Sequence, residues 1–437
     1  MSKEKRLFTF IFISHWILLW VSINTLPHPH GLSYMLNRIN FFNNFYESFY
    51  NIRILLPLLS TILITLLFIY LSFKKKFIFN KFHIIFFIIF FTHLIGLIAN
   101  TERNLGLNNI YLPILGISTV ILFYSCEIIN LNLIKYLFWI SLFFLFLILI
   151  IIIFPKISEI KNLDFSTLFS ERELNIIKTV NPRITGLSRS LAIINLFMIL
   201  IIFNMRNIYT KNFLLLCITI NSVIIIFMQS RGTLLCFYTS LVFLILYLSK
   251  DKINDKIKKI IVLIFVPFFL YFSINTQITH NTSIDEQKNI NNRIFEKHSS
   301  GRVDIWTFTL KNNDYKKIFG YGAQGDRFFL KNYNNKNIYG DNSSNIFIYS
   351  LLSGGFICLI FLMLFFYEIL KSIIKNKKAL FLKKNQYVNF SIICLIFFII
   401  RSAFENSFGL FSIDFLIMYL SVTCIINSNK FFKYEKY

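Results

Sequence analysis

Residues 212–249 read NFLLLCITINSVIIIFMQSRGTLLCFYTSLVFLILYLS, which is two apolar runs joined by the short polar sequence Gln229-Ser230-Arg231. Each run approaches or reaches the roughly 18 residues that a helix needs to cross a bilayer. The runs are continuous and lack the alternation over about ten residues that is typical of strands in a membrane barrel. Because a bilayer admits only helices or closed barrels, this stretch predicts two membrane helices joined by a tight turn.

The same pattern continues along the whole chain of 437 residues, which is 56% hydrophobic and has a mean hydropathy of +0.62. These values exclude a water-soluble fold of this length and predict an all-α polytopic membrane protein with about twelve transmembrane helices. No internal repeat or linker separates a second domain, so residues 1–437 are expected to form a single transmembrane domain. The predicted helices lie at residues 7–26, 54–73, 82–99, 110–126, 133–154, 189–205, 212–228, 232–249, 258–274, 344–370, 386–404 and 408–427.

Lysine and arginine are distributed unevenly between the two sides of the predicted membrane region. Short cytoplasmic connections are expected to be enriched in positive charge. If the N-terminus is cytoplasmic, every inner connection carries lysine or arginine, with the largest groups at residues 74–81, 250–259, 371–384 and 430–436. This alternation predicts that both termini are cytoplasmic.

Two long polar segments then fall on the outer, periplasmic side, at residues 155–188 and 275–343. The second lies between predicted helices 9 and 10 and interrupts a chain that is otherwise dominated by apolar runs. Within it, the sequence SGRVDIW at residues 300–306 is typical of a loop that enters a short helix. We therefore expect a partly helical loop subdomain at 275–343, where any chemistry would meet water.

Composition excludes several classes of function. The net charge of +24 does not indicate nucleic-acid binding, because the chain is also strongly enriched in Phe, Ile, Asn, Lys and Tyr and the placement of its charges follows a membrane topology. All six cysteines lie within or at the ends of apolar runs, so no disulfide framework is predicted. No histidine pair at ligand spacing, Asp-x-Asp sequence or glycine-rich phosphate loop occurs, so no metal, nucleotide or other cofactor is expected. The basic N-terminus resembles a secretory signal but lacks a small-residue cleavage site, which predicts an uncleaved first helix.

Three arginines share the predicted outer side. Arg231 lies on the tight turn between two helices, where it is either an anchor that reaches lipid headgroups or a ligand for phosphate oxygens. Arg302 is either an anion ligand or a loop arginine that is solvated or paired with an acid such as Asp304. Arg183 lies near the start of a span, and its position on the same side makes it the third candidate.

Acidic residues occur on the same side. Arg401 and Glu405 have the i, i+4 spacing of an ion pair at the outer end of a helix, and Asp414 in the last span either joins that pair or lines a cavity. Both a structural ion pair and a catalytic role remain open. Asp341, in the sequence GDNSSNIF at residues 340–347, is either an acid near a helix N-cap or a general base.

Four short motifs occur in a fixed order on this framework, namely Ser230-Arg231-Gly232, Ser300-Gly301-Arg302 with Trp306, Gly320-Tyr321-Gly322, and Asn345 before Gly354-Gly355. Together they resemble the superfamily of O-antigen polymerases and O-antigen ligases of bacterial envelopes. The resemblance covers roughly Arg183 to Gly355 in motifs and the whole chain in topology. Order and sidedness supply most of its specificity.

The resemblance implies a metal-independent, inverting glycosyltransferase of the bacterial cytoplasmic membrane that takes its glycan from undecaprenyl diphosphate on the periplasmic side. Arginines handle the diphosphate in this superfamily. Departure of a lipid diphosphate builds negative charge, which fixed guanidinium groups would stabilise. The candidate catalytic residues are Arg231, Arg302, Asp341 and Glu405, and the candidate substrate-binding residues are Arg183, Ser300, Gly301, Asn345 and Arg401.

Many relatives, the ligases especially, have a histidine directly before the asparagine of the last motif, where it is thought to help activate the acceptor. This chain has Ser344 there, and all seven histidines lie elsewhere, so Asp341 or Glu405 is the candidate base. The departure favours a polymerase of lipid-linked repeat units over a ligase that transfers the glycan to lipid A core or another acceptor.

A transporter or flippase is the alternative from another class, but such proteins usually hold their charges near the bilayer midplane and often have repeated halves. The expected partners are the undecaprenyl-diphosphate-linked donor, a glycan or lipid A core acceptor, membrane lipids and, as a candidate, a chain-length regulator. No nucleic acid is expected.

Overall fold

The computed structural model describes residues 3–22, 52, 55–74, 80–100, 107–129, 132–160, 184–205, 207–227, 230–248, 261–273, 302–312, 318–332, 343–375, 386–405 and 412–427. All regular secondary structure in these ranges is helical. The helices are α1 (Lys3–Ser22), α2 (Leu55–Lys74), α3 (Lys81–Ala99), α4 (Leu107–Ile129), α5 (Asn132–Ile160), α6 (Ile184–Asn204), α7 (Ile208–Phe227), α8 (Arg231–Leu248), α9 (Ile261–Ser273), α10 (Arg302–Asn312), α11 (Gly325–Asn332), α12 (Ile346–Lys375), α13 (Gln386–Ser402) and α14 (Ile413–Ile426).

The apolar helices coincide with the predicted spans. Within the described ranges, α2, α3, α7 and α12 are long and apolar enough to cross a membrane, and eight further helices contribute shorter apolar segments of 10–17 residues. Each of the predicted spans overlaps one of these helices. The number of helices that cross the bilayer stays a prediction.

Burial distinguishes central helices from peripheral ones. Every side chain of α14 from Ile413 to Ile425 is buried, so this helix lies at the centre of the bundle. In contrast, α2 and α7 present large apolar side chains to the outside, among them Leu59 and Phe213. Extended apolar surface of this kind is unfavourable in water, so these helices support the predicted membrane location.

Aromatic side chains fill the space between α3, α4 and α14. The ring of Phe86 lies 4.3 Å from that of Tyr419, and Phe123 lies 4.7 Å from Tyr419 on the other side, both edge to face. Phe90 packs against Phe415 at 5.6 Å. Edge-to-face pairs of this kind stabilise a packed core beyond their buried area.

A break in α12 provides the attachment point for part of the polar loop. Gly355 has φ 73° and ψ −167°, which interrupts the helical hydrogen bonds around it. The freed carbonyl groups of Leu352 and Ser353 accept hydrogen bonds from the backbone N–H groups of Tyr321 (2.7 Å) and Gly322 (2.8 Å). Buried backbone groups must be paired, so the segment at 318–322 supplies the bonds that the kinked helix cannot make itself.

This inserted segment also passes close to α3. A Cβ atom on Gly96 would lie 2.3 Å from the carbonyl oxygen of Phe319 and 2.7 Å from the nitrogen of Gly322. A glycine is therefore required where the loop crosses the end of α3.

The two helices within the predicted loop 275–343 pack on the bundle through a small apolar cluster. It contains Ile305 of α10, Phe329 of α11 and Leu352 of α12, each at most 2% exposed. Two helices extend into the first predicted loop, 155–188. Helix α5 continues to Ile160 and α6 already begins at Ile184, so each helix continues beyond the end of its apolar run.

Candidate functional site

The polar residues singled out in the sequence converge at one end of the bundle. Four helices begin at this end, which we call the loop end: α6, α8, α12 and α14. Helix α13 ends there, and the loop helices α10 and α11 pack against it. The charge pattern of the sequence predicts that it faces outward.

A buried cluster of three charged side chains joins α6, α13 and α14 at the loop end. Asp414 is fully buried, and its Oδ1 lies 2.9 Å from Nε of Arg189, while Nη1 of Arg401 donates to its Oδ2. Two guanidinium groups therefore share one carboxylate in a place that water hardly reaches. The cluster retains a formal charge of about +1, since one carboxylate cannot neutralise two cations.

A second, more accessible pair lies at the same end. Nη2 of Arg302, the first residue of α10, lies 2.5 Å from Oε1 of Glu405, and the two side chains are 30% and 22% exposed. Glu405 follows the last turn of α13, and its backbone N–H donates to the carbonyl of Arg401 at 2.8 Å. Arg189 interacts electrostatically with Glu405 as well as with Asp414 and Arg401, so the pair and the buried cluster form one charged site.

The ion pairs differ from the pairing that the sequence suggested. The i, i+4 spacing predicts a pair between Arg401 and Glu405, but the ion pair of Arg401 is with Asp414 and that of Glu405 is with Arg302. The reason is that α13 ends at Ser402, so Glu405 lies in a turn and faces α10.

Asn345 caps α12 and ties it to the end of α13. Its Oδ1 accepts from the backbone N–H groups of Phe347 (2.8 Å) and Ile348 (3.2 Å), which a helix start leaves without intrahelical partners. Its Nδ2 donates to the carbonyl of Ala403 at 3.1 Å. This candidate substrate-binding residue thus caps α12 through Oδ1 and fixes the backbone beside Glu405 through Nδ2.

Helix α8 begins beside the same turn. Gly232 lies against Phe404, with 3.8 Å between the Cβ that an alanine would carry there and Cβ of Phe404. Ser230 donates to Thr233 (2.9 Å), and Ser188 of α6 donates to Thr233 at 3.4 Å. The backbone at Arg231 is therefore close to the turn that holds Glu405.

A turn at residues 343–345 connects α11, α10 and α12. Oδ2 of Asp326 accepts from the backbone N–H (3.0 Å) and the hydroxyl (3.2 Å) of Ser343. The indole Nε1–H of Trp306 donates to the carbonyl of Ser343 at 2.7 Å. The next residue, Ser344, has φ 45°, a conformation that costs a non-glycine residue free energy and that persists where the surroundings enforce it.

The structure thus brings together Arg302, Glu405, Asn345 and Arg401, and it places the backbone of Arg231 beside them. The remaining candidates, Arg183, Ser300, Gly301 and Asp341, lie outside the described residues, and their roles stay predictions. Two charged residues of this region were not among the candidates. Arg189 interrupts the start of an apolar run, which was a usable signal, whereas nothing in the sequence distinguishes Asp326 from other loop acids.

Within the part of the chain that the structure describes, no group of three or more His, Cys, Asp or Glu side chains could hold a metal ion. The charged groups available at the loop end are guanidinium and carboxylate groups, which suit an anionic, oxygen-rich ligand such as a phosphate.

Comparison with known proteins bears on the segment between α7 and α12. No curated protein matches the chain. Residues 213–363, however, match the family model described as O-antigen ligase. The matched segment contains Arg231, Arg302, Asn345 and Gly355, whereas Arg401, Glu405 and Asp414 lie beyond it. This segment, about a third of the chain, is therefore similar to the O-antigen ligase family, in agreement with the resemblance that the sequence motifs indicate.

Proposed function

We propose that the protein is an inverting glycosyltransferase that polymerises oligosaccharide repeat units linked to undecaprenyl diphosphate, at the outer face of the bacterial inner membrane. The observation that carries the proposal is the placement of Arg302. This arginine is partly exposed and held by Glu405 beside a buried cluster with surplus positive charge.

The charge balance suits a diphosphate leaving group. Negative charge accumulates on the diphosphate as the glycosidic bond breaks, and fixed cations beside it lower the barrier. Arg302 is accessible enough to contact the phosphate oxygens, while Arg189 and Arg401 are mostly buried and would act through the field of the cluster. Arg231, at the start of α8 beside the same turn, is the second candidate contact.

The role we assign to Glu405 follows from its partner. A carboxylate bonded to a guanidinium fixes the direction in which that guanidinium points. We therefore propose that Glu405 orients Arg302 and leaves the base to another group, with Asp341 as the remaining candidate from the sequence.

Concentration of the charges at one end supports an enzyme over a transporter, because transporters hold theirs near the midplane. Within the superfamily, Ser344 in place of the histidine of many ligases supports a polymerase. The alternative is transfer of the glycan to lipid A core.

A reconstitution assay separates these possibilities. The purified protein in liposomes is incubated with lipid-linked repeat units, once alone and once with lipid A core, and products are resolved by length and by the lipid that carries them. We expect a ladder of lengthened lipid-linked glycan without the second acceptor. If unlengthened glycan appears on lipid A core instead, the protein is a ligase and the polymerase assignment is wrong.

The matched control is Lys331→Ala. Lys331 is an exposed lysine in the last turn of α11 in the same loop, so its loss removes an equal charge away from the site. Loss of product in Arg302→Ala together with normal product in Lys331→Ala supports the site. Equal loss in both variants would mean that only the overall charge of the loop matters.

A further inference from the structure

Asp326 is a buried acid that the proposed chemistry does not use. It is 2% exposed, and its Oδ2 receives two hydrogen bonds from Ser343. Burial raises the pKa of this carboxyl group, while the hydrogen bonds from Ser343 and the charge of Arg327 oppose that shift. A buried acid is costly to keep, so its contacts merit a specific explanation.

Ser343 transmits the contact from α11 to α10. Its carbonyl accepts from Nε1 of Trp306, which lies one helical turn after Arg302. Helix α10 therefore has two polar contacts on the same side, through the ion pair of Arg302 and through the indole of Trp306, beside the apolar packing of Ile305. If the contact of Trp306 is lost, the ion pair is the polar contact that remains to set the direction of the helix.

The turn also connects to the far side of the ion pair. Asn345, two residues after Ser343, holds the carbonyl of Ala403, which lies two residues before Glu405. These hydrogen bonds thus connect Arg302 to Glu405 a second time, through α10, the turn at residues 343–345 and the end of α13, in addition to their direct ion pair. Both members of the pair are positioned from the single turn that Asp326 holds.

We propose that Asp326 is a positioning residue for glycan transfer, which fixes α10 through Ser343 and Trp306 so that Arg302 stays at the mouth of the site. The proposal rests on the function proposed above. Asp326 acts through other residues and does not itself touch the substrate. Misplacement of a catalytic contact by about 1 Å can cost on the order of a hundredfold in rate, so the effect of a lost anchor is measurable.

A spin label on α10 tests the mechanical part of the proposal. Val303 is 44% exposed and follows Arg302, so Val303→Cys places a label beside the site. Five native cysteines are buried or partly buried in apolar helices, namely Cys217, Cys236, Cys358, Cys394 and Cys424, and a membrane-impermeant nitroxide reagent therefore favours position 303 over them. The chain without Val303→Cys gives the background.

The label spectra have a defined expectation. The label is immobilised in the parent, gains a mobile component in Asp326→Ala, and stays close to the parent in Asp326→Asn, because the amide oxygen can accept from Ser343. Trp306→Phe keeps an aromatic ring, although a smaller one, and removes the N–H that donates to Ser343, so it should also mobilise the label. If Asp326→Ala does not fold, the spectrum of Trp306→Phe decides whether this contact fixes α10. Asp304→Asn is the matched control, an exposed acid of α10 whose change should leave the spectrum unaltered.

Kinetics test the functional part. In Asp326→Ala and Trp306→Phe we expect kcat/KM for the lipid-linked donor to fall by about 10- to 100-fold, with Asp326→Asn within about threefold of the parent. An immobile label in Asp326→Ala and Trp306→Phe, or a mobile label with unchanged kcat/KM, would overturn the proposal. If the unmodified chain transfers no glycan at all, the proposed function fails, and the spectra still decide whether Asp326 fixes α10.

Discussion

Nε of Arg189 lies 2.9 Å from Oδ1 of Asp414, and Arg401 binds the other oxygen of the same carboxylate. The three residues come from α6, α13 and α14, so this cluster joins three helices at the loop end. It also provides positive charge beside the Arg302–Glu405 pair.

Asp414→Asn should lower stability markedly. The change leaves two largely buried guanidinium groups without a counter-charge, and removal of one partner of a buried ion pair typically costs about 3–5 kcal/mol. Thermal unfolding in detergent, or the loss of folded protein during purification, measures this. Asp304→Asn, at an exposed acid, should change stability by only about 0.5 kcal/mol. Equal stability of the two variants would show that the cluster is not a structural junction.

Arg302→Ala should lower kcat/KM for the lipid-linked donor by about 10²- to 10³-fold, which is the usual loss for a preorganised group that stabilises developing negative charge. Arg302→Lys should recover only part of this, because an ammonium group lacks the planar fork that matches phosphate oxygens. Initial rates of glycan transfer at several donor concentrations give the values. Because the ion pair with Glu405 is partly exposed, both variants should fold normally.

Glu405→Gln separates a positioning role from that of a general base. Glutamine retains an oxygen that can accept from Arg302, so we expect less than about a tenfold loss in kcat, whereas loss of a general base costs about 10²- to 10⁴-fold. The rate is measured across pH. If the variant instead lost activity at all pH values by three orders of magnitude or more, Glu405 would be the base.

Gly355→Ala should detach the inserted segment from α12. The glycine has φ 73°, and an added Cβ would lie 2.1 Å from the carbonyl oxygen of Ile318. This combination of positive φ with ψ −167° is almost restricted to glycine and alone costs an alanine about 1–3 kcal/mol, and the contact adds to it. Limited proteolysis of the loop should become faster. Gly232→Ala is the matched control, since its Cβ would meet only Phe404 at an ordinary distance of 3.8 Å. Unchanged proteolysis in Gly355→Ala would contradict the attachment.

Asp326→Asn should alter the pH dependence of stability. Burial raises the pKa of Asp326 above its ordinary value of 3.8, so the folded state favours the protonated form. The stability that this group contributes is present in acid and is lost as the pH rises through the folded-state pKa. The difference in Tm between the parent and Asp326→Asn should therefore shift against the parent as the pH rises above the ordinary pKa of 3.8. A difference that is constant with pH would show that Asp326 does not titrate in this range.

The helices of this protein could be predicted closely from the sequence. Each predicted span, from residues 7–26 to 408–427, overlaps an apolar helix of the structure, and the short helix expected after Gly301 begins at Arg302. These features are local: the length of an apolar run and the residues at its ends are sufficient to determine them. The ordered motifs likewise predicted the resemblance that the family model shows for residues 213–363.

The partners within the site could not be predicted in this way. Spacing along one helix favoured Arg401 with Glu405, whereas packing of separate helices paired Arg401 with Asp414 and Glu405 with Arg302. The sequence by itself determined which segments are helices and which residues carry charge. Only the tertiary structure decided which charges meet, because an ion pair depends on which helix ends lie side by side, and residues more than a hundred positions apart can occupy neighbouring ends.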